Sequence, residues 1–286
     1  MKVLVTGATG FIGSWFIRES QKKGILLRGI KRYNSICRIP VKENIEWIDY
    51  DFNNYSCLDK NKMFKDVDIV VHLLSHGVSP QPACWGQCLK INVSSSFNFI
   101  NQAVEFGIKK FIVLGSCMEY GNSGNLYDFI PSNAPLRPEG PYACSKAAAS
   151  IAFLGLAKEK NLLLTLIRPF NVYGEGQYKK NLWPSLTEAA ILGDDFPMTK
   201  GEQIRDFQKV EDLVHFIINE LNFENAIPGA PNVINSGSGV PRSIMNFVME
   251  NWQNLGAKGN ILPGKLPYRK NEVFRYVPAI NKYSNH

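Results

Sequence analysis

The stretch KVLVTGATGFIG, residues 2–13, decides the reading of this chain. KVLVT is an apolar run that stops at the first glycine, and an amphipathic stretch over residues 11–23 follows, closed by Gly24. A strand, a glycine loop and a helix therefore come in immediate succession, the context that makes the spacing of Gly7, Gly10 and Gly13 informative. Glycines let the backbone approach a ligand closely, and a helix N-terminus adds positive potential, so the loop amides are disposed to meet a pyrophosphate. The unit predicts a dinucleotide-binding start.

Outward from this unit, short unalternating runs rich in β-branched residues occupy 25–30, 45–48, 68–74, 110–114 and 162–167. Such runs read as strands buried on both faces. Between them, 83–106 and 141–160 read as helices, the second with Pro141 in its first turn. Alternation of this kind predicts an α/β, doubly wound parallel (Rossmann) sheet with right-handed crossovers. After Arg168 the texture turns to Gly, Pro, Asn and aromatic residues with short helical patterns at 182–192, 210–221 and 243–252. We expect residues 1–170 to form the dinucleotide-binding domain. Residues 171–286 should form mainly a smaller C-terminal substrate-binding lobe over the carboxyl ends of the strands, with a return to the sheet within 205–240 and a loose tail at 281–286.

At 286 residues a third domain is not expected. No apolar run reaches the roughly 18 residues of a membrane span, and no secretory pattern opens the chain, so the expectation is a soluble, cytoplasmic protein. In that compartment the six cysteines read as free thiols. The formal charge of +7 comes from dispersed lysines and arginines, which suits phosphorylated small molecules better than nucleic acid. His72, His76, Cys84 and Cys88 lack the second matched pair of a zinc site, so no metal is expected.

The chemistry is carried by YACSK, residues 142–146, where Tyr142 and Lys146 stand four apart on one helix face. An ammonium near the phenol favours the phenolate. Bringing a tyrosine of pKa near 10 down by roughly three units asks about 4 kcal/mol of the lysine and cofactor charge. The end of the second strand selects the dinucleotide, because NAD wants an acid for the ribose 2′-hydroxyl and NADP a cation for the 2′-phosphate. Lys31 and Arg32 stand there, with Arg38 nearby and no acidic residue between Ser20 and Lys42, which favours NADP(H).

TGATGFIG, YACSK and the segment VLGSCMEYG at 113–121 together resemble the extended short-chain dehydrogenase/reductase family, also called the NAD-dependent epimerase/dehydratase family. The resemblance runs along nearly the whole chain and lies in its nucleotide-sugar branch. It implies cofactor contacts from Gly7, Gly10, Phe11, Ile12, Gly13, Lys31, Arg32, Asp51, Phe52, Leu73, Leu74, Asn92, Tyr142, Lys146, Pro169 and Val172. It implies substrate contacts from Ser75, His76, Ser116, Cys117, Tyr142, Asn171, Asn181, Leu182, Arg205 and the late Arg269, with Phe196, Met198 and residues 200–203 near the base. The catalytic set would be Ser116, which orients a sugar hydroxyl or ketone, Tyr142, which transfers its proton, and Lys146, which lowers the tyrosine and holds the nicotinamide ribose. Dimers are usual in this family, so a homodimer is expected.

Dehydratases of the branch carry a glutamate two residues before the tyrosine of the YG pair; Met118 stands there. Glu119, one position later, should point to the other side of an extended backbone. Reduction or epimerisation remains, and the Lys31-Arg32 pair favours an NADPH-dependent 4-ketoreductase acting on a nucleotide-linked, 6-deoxy hexose. The alternatives are a 4-epimerase with retained NAD and a non-catalytic NADP-binding sensor. Cys117 as an acid or base, and His76 in the substrate pocket, are further readings of lesser weight.

Overall fold

A computed structural model of the chain describes residues 1–54, 59–78, 83–224, 226–268 and 272–280. β1 (Lys2–Thr6) leads through the glycine loop into α1 (Phe11–Lys22), followed by β2 (Leu26–Lys31), β3 (Glu46–Asp49), α2 (Lys60–Phe64) and β4 (Ile69–His72). A continuous helical stretch then passes through α3 (Trp85–Cys88), a π-helical segment at Leu89–Ser95 and α4 (Ser96–Phe106) to β5 (Lys110–Leu114). Two 3-10 turns, Cys117–Tyr120 and Asn122–Leu126, precede α5 (Gly140–Glu159) and β6 (Leu163–Pro169). Beyond these come β7 (Val172–Tyr173), α6 (Leu182–Leu192), β8 (Phe196–Met198), β9 (Ile204–Arg205), β10 (Gln208–Lys209) and α7 (Val210–Asn219). The remainder is β11 (Asn232–Ser236), β12 (Arg242–Ser243), α8 (Ile244–Asn254), β13 (Ile261–Pro263) and β14 (Arg275–Tyr276).

Seven strands form one sheet in the order β11-β6-β5-β4-β1-β2-β3, and every neighbouring pair is parallel. This is the doubly wound sheet that the unalternating runs predict. Leu4, Val70, Phe111 and Leu164 pack on one face with Phe99 and Phe153, while Val3, Val5, Val71 and Ile112 pack on the other with Phe16, Leu213 and Ile217. Both faces are thus apolar, and each such side chain contributes roughly 1.5–3 kcal/mol by leaving water. A smaller core of Leu186, Phe196, Met198, Val248 and Trp252 joins α6, α8, β8 and β13.

The helix expected over 83–106 is not uniform, because its middle widens into the π segment. Ser96 Oγ donates to the Ile91 carbonyl at 2.7 Å, a side-chain bond to the backbone inside the widened stretch. Asn92 lies in that segment, buried. Such widened turns recur where a side chain is re-aimed at a functional site. The expected tail at 281–286 lies outside the described residues.

Candidate active site

The glycine loop is shaped by the absence of atoms. Gly7 has φ +66°, and a Cβ there would come within 2.8 Å of Leu74 N and 2.9 Å of the Leu73 carbonyl carbon. A Cβ at Gly13 would stand 2.1 Å from the Gly7 carbonyl oxygen. Gly10 precedes α1 and brings no capping side chain, so the first turn, with Phe11 and Ile12, keeps its N–H groups available to an anion. The chain after β4 lies alongside: Leu73 N–H donates to the Thr6 carbonyl at 3.2 Å and Leu74 N–H to Thr6 Oγ1 at 3.3 Å. A backbone cradle beside a bare helix N-terminus fits the pyrophosphate of a dinucleotide.

At the end of β2 the Lys31 ammonium sits 5.5 Å from the Trp47 ring centroid. Arg32 is exposed and makes no ion pair among the described residues. The loop that follows is pinned to the cradle by Thr9 Oγ1 and Ser35 Oγ at 3.0 Å and by the Arg38 N–H on Ser14 Oγ at 2.9 Å. Asp51 accepts from the Asn53 N–H at 2.9 Å, capping its own turn, and the Phe52 ring enters the core 5.2 Å from that of Phe99.

Ser116, Tyr142 and Lys146 meet at the carboxyl end of β5. Ser116 follows that strand by two residues, while Tyr142 and Lys146 lie on α5. The hydroxyls of Ser116 and Ser75 both act on the half-buried Tyr142 phenol, although the buried Ser75 Oγ has no hydrogen bond of full geometry among the described residues. Burial pushes Tyr142 up to about 12, because desolvation outweighs those two hydroxyls. Lys146 Nζ donates to the Leu114 carbonyl. Burial holds this lysine down at about 8, with Glu119 acting in the other direction. Beneath it, His72 is pushed down to about 3 by burial and then by Lys146, so it is neutral. Thr6 Oγ1, which accepts from Leu74, is hydrogen-bonded to His72 Nδ1 at 2.8 Å.

Asn92 ties the end of β4 to α5. Its Oδ1 accepts the His76 N–H at 2.7 Å, and its Nδ2 donates to the His76 carbonyl and to Ser145 Oγ, both at 2.9 Å. The loop carrying Ser75 and His76 is thereby tied to α5.

The segment at 116–120 is not extended. It closes into a 3-10 turn, so Glu119 does not face away from Ser116 but folds back to it, fully buried. Glu119 Oε1 accepts the Ser116 N–H at 2.8 Å, and Oε2 accepts Arg168 Nε–H at 2.8 Å. The chemical reason is local, since a serine at the N-cap and a glutamate three residues on form reciprocal caps. Met118 is left half-exposed on this turn. Cys117 is buried, and burial pushes its thiol up to about 12, so it stays protonated at neutral pH.

Pro169 ends β6 and Val172 opens β7. Between them Asn171 adopts φ +25° and spends its Nδ2 on the Asp206 carbonyl at 2.9 Å. Asn181 and Leu182 stand at the start of α6, whose cap is likewise free of a side-chain bond. Arg205 is engaged by Glu272, Nη2 to Oε1 at 2.6 Å. Arg269 lies outside the described residues. The sequence reading missed His72 with Thr6, Ser145, and the Glu119–Arg168 pair. The signal for the last was present: a charge inside an apolar strand end demands a partner. Among the described residues no cluster of three metal-ligating side chains occurs, and no helix is long and apolar enough to cross a membrane.

The family model described as "NAD dependent epimerase/dehydratase family" matches residues 3–235. The chain is 26% identical over 234 residues to a UDP-glucose 4-epimerase of Lactobacillus helveticus, covering 75% of this chain and 70% of that protein. It is 24% identical over 280 residues to a dTDP-6-deoxy-L-talose 4-dehydrogenase (NAD(+)) of Aggregatibacter actinomycetemcomitans, covering 93% and 96%. Among solved structures, MoeE5 in complex with UDP-glucose and NAD superposes with a TM-score of 0.79 at 27% identity, covering 99% of this chain and 90% of that one. With the glycine cradle, the parallel sheet and more than two thirds of its length matched, this chain belongs to the NAD-dependent epimerase/dehydratase family.

Proposed function

We propose that the chain transfers hydride at C4 of a nucleotide-linked hexose, as an NADPH-dependent reductase of a 4-keto, 6-deoxy sugar. The observation that carries this reading is the convergence of Ser116, Tyr142 and Lys146 at the strand end beside the glycine cradle. Two relatives are named for reactions at position 4 of a nucleotide-linked sugar, which supports the site of reaction. Met118 in the place of a glutamate argues against elimination, and Arg32, exposed at the end of β2, argues for the 2′-phosphate.

The nicotinamide, when bound, supplies or accepts the hydride. The cradle and the first turn of α1 would hold its pyrophosphate, with Leu73, Leu74, Pro169 and Val172 lining the cofactor cleft. Ser116 orients the sugar oxygen, and Tyr142 moves the proton at that oxygen. A phenol held up at about 12 keeps its proton at neutral pH, so the ground state is the acid that a ketone reduction needs. Lys146, with its pKa near 8, carries the charge that would hold the nicotinamide ribose and stabilise the phenolate after transfer. Arg205, with Arg269 and Asn181, would take the diphosphate; at Arg205 that diphosphate would compete with Glu272. The exposed Ile151 on α5 and Phe106 at the end of α4 support a homodimer through that face. A cytoplasmic setting suits such a substrate.

A second reading, a 4-epimerase with retained NAD, is favoured by the UDP-glucose 4-epimerase relative. Titration of the purified chain with NADPH and NADH, together with assay of any copurified nicotinamide, separates the two. Exchangeable NADPH at tighter affinity supports the reductase, and retained NAD without phosphate preference overturns it. Tight NADPH with no turnover of any nucleotide sugar would leave a sensor.

A further inference from the structure

Ser116 opens the 3-10 turn Cys117–Tyr120, and its side chain is already engaged by that turn. Its Oγ accepts the Met118 N–H at 3.2 Å, which occupies a lone pair and leaves the hydroxyl proton as the part free to be given. A single 3-10 turn holds its shape poorly on its own. What fixes this one is the far side of Glu119. The Glu119 carboxylate spans from the Ser116 N–H to Arg168 at the end of β6, 2.8 Å on either side, with the two side chains 0% and 4% exposed. Arg168 Nη1 continues to the Tyr120 hydroxyl and the Ser132 carbonyl, both at 3.1 Å. Tyr120 in turn donates to Asn235 Oδ1 on β11 at 2.6 Å. The ends of β6 and β11 are thus bound to one turn.

The space for the carboxylate is provided by the residue before the serine. A Cβ at Gly115 would lie 2.6 Å from Glu119 Oε1. A buried ion pair is a poor source of stability, because desolvation cancels most of its attraction and apolar replacements often fold as well. An ion pair bonded directly to the backbone of the proposed catalytic serine therefore invites a role in geometry.

We propose that the Glu119–Arg168 pair is a positioning device for Ser116, locking the turn so that the serine hydroxyl acts as a donor towards the reacting sugar oxygen beside Tyr142. This rests on the proposed roles of Ser116 and Tyr142. Glu119 itself touches no substrate; it acts through the serine, one position after the place where the dehydratases of the branch carry a glutamate.

The test is Glu119→Asp in the full chain, which keeps the charge but is one methylene too short to bridge Ser116 N–H and Arg168. Amide hydrogen exchange at Ser116, NADPH affinity by fluorescence, and kcat and KM with dTDP-4-keto-6-deoxyglucose are measured against Ser116→Ala and the double variant. Exchange at Ser116 should quicken about 10-fold and kcat should fall about 100-fold, as for a misplacement near 1 Å, while NADPH affinity and KM hold within about twofold. The double variant should be no slower than Ser116→Ala, since both changes act through one hydroxyl. Losses that multiply, or Ser116 exchange unchanged, overturn the proposal. Should Glu119→Asp not fold, Arg168→Lys, which keeps the charge and loses the fork, is read in the same cycle. A wild-type chain that turns over neither the 4-keto sugar nor UDP-glucose sinks the proposed function instead, and the exchange at Ser116 then decides the positioning.

Discussion

The cradle at residues 7–13 and the edge around Ser116, Tyr142 and Lys146 are built in opposite ways. The cradle is made of backbone and empty space; none of its residues titrates, and its geometry depends on carbonyls standing where a Cβ would be. The edge is made of buried polar side chains, His72, Lys146, Glu119 and Arg168, each held away from its ordinary environment and each needing a named partner. The difference teaches where each half is fragile. The cradle fails when an atom is added, and the edge fails when a proton or a charge is moved.

The sharpest break on the edge is Tyr142→Phe. Loss of the hydroxyl proposed to transfer the proton should lower kcat with a 4-keto sugar nucleotide about 1000-fold. NADPH affinity should stay close to that of the wild type, because the cradle is untouched; a loss confined to affinity would show that the two halves are not separate. Acid should act on the same side. His72 binds its proton near 3 in the fold against 6.5 ordinarily. Between those values the unfolded chain holds a proton that the folded one refuses, so this contribution to stability is lost as pH falls from 6.5 towards 3. By pH 4 the loss should be on the order of 3 kcal/mol. Urea unfolding between pH 7 and 4 reads it, and His72→Gln, which can still hydrogen-bond Thr6, should flatten the slope. An unchanged slope would assign acid lability elsewhere.

On the cradle, Gly13→Ala brings a methyl 2.1 Å from the Gly7 carbonyl oxygen and 2.8 Å from that of Ala8. Both neighbours are backbone, so the loop itself must shift, and NADPH should bind about 100-fold more weakly, consistent with the roughly 1–3 kcal/mol of overpacking. Wild-type affinity would mean that the cradle yields more easily than its geometry implies.

The same contrast decides what could be read from the sequence. The cradle and the sheet were legible because they follow chain-local rules: an apolar run, three glycines at fixed spacing and a helix start lie within residues 2–13. The edge was legible only in part. Tyr142 and Lys146 share a helix face, so their spacing announced them. The Glu119–Arg168 pair joins residues 49 apart in sequence, and its turn reverses the direction expected of an extended backbone. The π segment that aims Asn92 at His76 is likewise a tertiary outcome, since helix propensity alone favours a regular helix through those residues.

The finest test concerns the border of the cradle, where charge returns. Lys31 is drawn over Trp47, while Arg32 stands exposed, so the guanidinium is the better partner for a 2′-phosphate. Arg32→Asp removes that fork and supplies the carboxylate that suits a free ribose hydroxyl. NADPH should weaken about 10-fold, the worth of one charged hydrogen bond at an exposed site, and NADH should tighten. The NADPH effect should shrink in high salt, because an exposed contact is screened within about 10 Å at 0.1 M. Fluorescence titration at two ionic strengths measures both. If neither dinucleotide responds, the cradle alone sets cofactor affinity, the cations at β2 are solvated surface, and the retained-NAD epimerase becomes the stronger reading of the edge.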